Sequence, residues 1–238
     1  MTTSKTEKKE NILVNLSFNI IVPALILSKL AKYVALAPYQ VLLIALAFPL
    51  GYGIYDFVVN RKTNAISILG FVSILLTGMI GLFEFPAEWI AVKEAAVPFI
   101  IAIAILVSTR TKYPLVKTFI YNDKILDTNR IDAILEEKNK RKEMEKMLNL
   151  SSIFLAGSFF ISTILNFSLA RILIKSPTGT PEFNAELGKM TALSYPVIAL
   201  PCTIIMGLIL WYLIRSLTQI SGLPFEELLT PQMREKAK

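Results

Sequence analysis

Glu84 to Lys117 reads EFPAEWIAVKEAAVPFIIAIAILVSTRTKYPLVK, and this stretch decides the fold class. An acidic, aromatic lip of Glu84, Phe85, Glu88 and Trp89 opens it, and Lys93 sits about one helical turn further in. Pro98 and an apolar run from Phe99 to Val107 follow, then Arg110, Lys112 and Lys117. Aromatic residues favour membrane–water interfaces and basic residues collect on the cytoplasmic side. The order predicts one helix that crosses a bilayer from outside to inside.

The rest of the chain repeats that pattern. Hydrophobic residues make up 54% of the 238 residues and mean hydropathy is +0.56. The apolar residues fall in blocks of about 20, the length that spans a hydrocarbon core. These blocks predict an all-α polytopic membrane protein with six transmembrane helices. With both termini cytoplasmic, 19 of the 25 lysines and arginines lie inside. That excess follows the positive-inside rule. Cys202 is the single cysteine and histidine is absent. Disulfide frameworks, Cys/His metal clusters and histidine triads are therefore excluded. No catalytic residue, metal or cofactor is expected, and the chain reads as a non-enzyme. The net charge of +7 marks cytoplasmic loops, and no basic, aromatic-rich module predicts a nucleic-acid partner.

Residues 1–11 read as a short polar tail and 12–107 as spans one to four. Residues 108–149 read as a cytoplasmic helical linker, a hairpin or an extension of the next span, capped by Asp127 or Thr128. Spans five and six occupy 150–214, joined by an external loop over 175–189. Residues 215–238 form a cytoplasmic tail whose GLPFEELL segment is amphipathic and expected to lie on the membrane surface. Ser73, Thr77 and Gly81 in span three, and Ser158, Ser162, Asn166 and Ala170 in span five, are four apart. Small-residue stripes allow close helix approach, which places both spans at the centre of the bundle.

Polar residues inside apolar spans mark the candidate sites. Asn15, Asn19 and Pro23 share one face of span one, and Pro23 removes the N–H that the Asn19 carbonyl would use. Lys93 has three open readings: it snorkels to the outer surface, pairs with the Trp89 ring, or binds an anionic group. Pro98 likewise displaces the carbonyl of Glu94. Asn19, Lys93 and Asn166 are expected to line one externally open cavity holding water, a lipid headgroup or a small anion. Asp56 and Arg61 form a second, charged site at the membrane interface, with Lys62 as an alternative partner.

The order of Glu88-Trp89, Lys93, Pro98 and Tyr113-Pro114-Leu115-Val116-Lys117 resembles bacterial intracellular septation protein A and its distant relatives. Arg61-Lys62 is similar to that family's basic turn, and Leu148-Asn149-Leu150 and Leu165-Asn166-Phe167 to its L-N-L elements. The resemblance implies a non-enzymatic inner-membrane scaffold or maintenance role in division or envelope integrity. Envelope proteins or a second copy would be its partners beside the bilayer. Prolines inside spans one, two, four and six support an alternative, a small transporter or channel. A lipid-acting membrane enzyme is the third class, and no paired carboxylates lie in any span to serve it.

Overall fold

The computed structural model describes residues 17–30, 33–34, 36–60, 65–111, 114–121, 123 and 125–237, with side chains at 56–60, 65–71, 118–120 and 236–237 excepted. The described residues are helical, with an isolated antiparallel bridge between Leu126 and Leu229. The helices are α1 (Ser17–Leu30), α2 (Pro38–Asn60), α3 (Ala65–Leu82), α4 (Glu88–Ser108) and α5 (Leu115–Ile120). They continue with α6 (Thr128–Glu137), α7 (Arg141–Leu173), α8 (Pro181–Ser221), α9 (Phe225–Leu228) and α10 (Pro231–Ala237).

Among the described residues, four helices are long and apolar enough to cross a membrane: Pro38–Tyr55 of α2, α4, α7 and α8. Ser17–Leu30 and Val72–Leu82 are apolar but shorter. The expected tail 1–11, residues 12–16 of span one, the Asp56 side chain and Arg61 lie outside the described structure.

The chain divides into two compact units. The first takes Met1–Ala95 with Leu165–Ile198, and the second takes Ala96–Ile164 with Ala199–Lys238. In the first unit, α8 starts nine residues before the expected Met190, inside the expected external loop. Thr180 is the reason: its hydroxyl accepts from the Phe183 N–H at 3.2 Å, with Pro181 at the first helical position and Glu182 in the first turn. Each of these signals stabilises a helix N-terminus. Phe183 and Leu187 are buried against α1 and α2, and the Asn184 amide donates to the Pro38 carbonyl at 2.7 Å. At Gly188 a Cβ would stand 2.9 Å from the Ala24 carbonyl oxygen and 3.1 Å from the Ser28 nitrogen. Glycine therefore sets the contact distance between α8 and α1.

Two prolines change helix type instead of kinking an α-helix. Ser17–Ile21 and Ile26–Leu30 are π-helical on either side of Val22–Leu25, and Tyr195–Ala199 is π-helical inside α8. Pro23 and Pro201 each fall in the first turn of the α segment that follows a wide turn. A proline, which has no N–H to donate, is tolerated at the start of an α segment.

α3 and α7 each carry an exposed apolar face. Val72, Leu75, Leu76 and Met79 are exposed on α3, as are Ile153, Phe154, Ile161 and Ile164 on α7. A small-residue stripe marks one close contact, not burial on every side. The contact itself is present: a Cβ on Gly78 would meet Leu46 at 3.3 Å, and one on Gly81 would overlap Leu42.

The second unit has its own core, built from α5, α6, the start of α7 and the end of α8. Asp127 caps α6 by accepting from the Arg130 N–H at 3.3 Å. Asn139, in the left-handed conformation, turns the chain from α6 into α7, so residues 130–148 form a hairpin and not one helix. The GLPFEELL segment packs against the linker. The N–H of Asp127 donates to the Leu228 carbonyl at 2.9 Å and that of Thr230 to the Ile125 carbonyl at 3.1 Å. These bonds clasp the tail to the linker, and Leu228 is fully buried among Leu126, Ile131, Leu135 and Leu217. Gly222 closes α8 at φ 75°, and Lys138 covers the end by donating to the Ser221 carbonyl at 2.7 Å. Tyr121 donates to Asp132 at 2.9 Å; burial and that bond hold its phenol well above the usual tyrosine range.

Leu228→Ala is expected to weaken the clasp by about 2–5 kcal/mol, the usual range for truncating a buried leucine. Hydrogen exchange at the Asp127 amide reads it directly. Unchanged exchange would mean that the tail is held by its backbone bonds alone.

Candidate functional site

Lys93 lies in the second turn of α4, within a candidate membrane span, and is 8% exposed. It does not snorkel. Its ammonium donates to Thr77 Oγ1 at 2.8 Å and to Ser73 Oγ at 3.2 Å, and pairs with Glu94 Oε1 at 2.7 Å. An ammonium has three N–H donors, and three acceptors meet them. The hydroxyls on α3 that the sequence suggests as packing residues are therefore the lysine's ligands. Thr77 also donates its own proton to the Ser73 carbonyl at 3.0 Å, leaving its lone pairs to Lys93. Among the described residues the cation–π contact is elsewhere, with Arg215 5.5 Å from the Trp211 ring centroid. A charge costs several kcal/mol to take from water unless paired and hydrogen-bonded, which explains why Lys93 has both kinds of partner.

Glu94 faces a second environment. It lines a cavity of about 210 Å³ together with Asn19, Asn166, Thr191 and Ser194. The lining draws on two of the three π-helical segments, through Asn19 and Ile20 in Ser17–Ile21 and Ile198 in Tyr195–Ala199. Thr191 donates to the Leu187 carbonyl at 2.9 Å, and Ser194 to the Thr191 carbonyl at 2.7 Å. Asn19 and Asn166 line this cavity, whereas Lys93 does not: its ammonium turns to Ser73 and Thr77, and it touches the lining only through its pair with Glu94. The Arg171–Glu88 pair, 3.7 Å apart, ties the end of α7 to the start of α4. Thr178 donates to the Phe85 carbonyl at 2.9 Å, fixing the adjoining loop.

No protein-family model, curated protein or solved structure matches the chain.

Sequence reasoning missed Glu94, Thr191 and Ser194 as site residues. Glu94 carried a signal, a carboxylate inside an apolar run. Thr191 and Ser194 carried a weaker one, because a hydroxyl in a membrane helix ordinarily bonds its own backbone. Among the described residues no group of three or more His, Cys, Asp or Glu is placed to hold a metal ion.

Proposed function

We propose that the chain is a non-enzymatic integral protein of the bacterial inner membrane that admits a small polar ligand beside Lys93 and Glu94. Its six crossings leave both termini cytoplasmic, in line with the lysine and arginine distribution. The observation that supports the ligand site is the polar cavity next to a partly buried ion pair. Ionisable residues within membrane spans are costly and mark pathways or binding sites. Irregular backbone at membrane depth is tolerated where it lines a cavity, as two of the three π-helical segments do here. This is the small-transporter reading, and the envelope role implied by the septation-protein resemblance is its setting. A scaffold role is the second reading. The clasp of the second unit favours it, since that unit packs a core outside the polar site.

Cysteine accessibility tests the site. In a Cys202→Ala background, Asn166→Cys and Ser194→Cys are expected to react with a small neutral thiol reagent in intact membranes. Ala45→Cys, at a fully buried position, is the unreactive control. Silence at both cavity positions would remove the reading.

A further inference from the structure

Resting on the ligand-site reading above, we infer that the cavity takes a small primary ammonium group, which shares the Glu94 carboxylate with Lys93. Sign of charge is the first argument. Among the described residues, Glu94 is the one ionisable residue in the cavity lining, and no cation lines it. All three N–H donors of Lys93 are committed to Thr77, Ser73 and Glu94, so an anion finds no ammonium donor.

The polarity of the uncharged groups agrees. Thr191 and Ser194 spend their protons on carbonyls of their own helix, which leaves lone pairs for a ligand. The molecule already holds one ammonium in this manner. Thr77 donates to the Ser73 carbonyl and accepts from Lys93, and Thr191 has the same kind of donor bond to Leu187. Lys93 pairs with Oε1 of Glu94, and an ionised carboxylate has two oxygens and about four acceptor positions.

Size and valence narrow the class. A volume of about 210 Å³ lies below the ~300–1,000 Å³ of drug-sized pockets, and suits an ammonium on a short carbon stem. A single carboxylate matches a single positive charge better than a divalent metal, which takes several anionic ligands. Such an ammonium is present on free primary amines and on ethanolamine lipid headgroups.

The test is thermal unfolding of the purified full chain in micelles, with methylammonium chloride as probe. Methylammonium is expected to raise Tm, whereas tetramethylammonium, of equal charge but without an N–H, is not. Glu94→Gln, which keeps the shape and removes the charge, is expected to abolish the rise. Lys93→Met removes a competing like charge and is expected to tighten methylammonium binding about tenfold or more. Equal shifts with sodium or tetramethylammonium, or an undiminished shift in Glu94→Gln, would overturn the inference. If Lys93→Met does not fold, the wild type and Glu94→Gln still decide. Thiol labelling of the cavity without any methylammonium effect sinks the inference and leaves the ligand-site reading standing; absence of labelling sinks that reading itself. Nanodiscs separate the two sources. A methylammonium response present in phosphatidylcholine but lost in phosphatidylethanolamine assigns the site to the headgroup, and an equal response assigns it to a free amine.

Discussion

Gly188→Leu is expected to unfold the first unit at a markedly lower temperature, with a loss of about 3 kcal/mol, the upper end of the overpacking range. The reason is what the added atoms meet. A Cβ at this position stands 2.9 Å from the Ala24 carbonyl oxygen, 2.9 Å from Leu27 Cβ and 3.1 Å from the Ser28 nitrogen. Two of these are backbone atoms inside α1, which cannot swing aside as a side-chain end does. Relief therefore requires α1 and α8 to separate, exposing the buried Ala24 and Leu27 that face Gly188. Gly51→Leu is the matched control, because nothing lies within 4 Å of its added Cβ. Unfolding of both variants in detergent gives the comparison. Equal melting would show that α1 and α8 do not meet at Gly188.

Lys93→Met is expected to cost about 2–3 kcal/mol, below the ~3–5 kcal/mol typical of breaking a fully buried pair. The discount follows from Glu94, whose side chain is 26% exposed and keeps some solvation when its partner is lost. The substitution also strips Ser73 and Thr77 of the donor they accept from. Adding Glu94→Gln removes the stranded charge, so the double variant is expected to be less destabilised than the sum of the two singles. A coupling of about 1–3 kcal/mol is the expected size for groups in direct contact. Additive losses would mean that Lys93 and Glu94 are each satisfied without the other. Chemical unfolding of the four proteins in one detergent measures the cycle.

Half of the polar site was legible in the sequence. Asn19 and Asn166 stand out as amides in apolar helices, and they do converge on one cavity. Lys93 stands out as well, but its three readings could not be separated by sequence. Residues one apart on a helix do not normally share a face, so spacing gave no reason to couple Lys93 with Glu94. Their long side chains close the gap, and the 2.7 Å pair follows from α3 presenting Ser73 and Thr77 to the same ammonium. The early start of α8 was readable from Thr180, Pro181 and Glu182, yet Pro177, Gly179 and Pro181 together resemble a loop.

Composition and order along the chain determine the class of this protein. Apolar run length is a local property, and it specifies helices long enough for a bilayer before any two of them touch. Tertiary structure alone decides which faces meet. A helix that is apolar all round carries no amphipathic stripe to show which side is covered. Ser73 and Thr77 therefore read as packing residues until α4 brings Lys93 against them. Leu228 reads as a membrane-facing leucine until the bridge at Leu229 turns it into the linker's core. Partner choice for a buried polar or apolar group depends on helix rotation and approach, and those are set by contacts far apart in the chain.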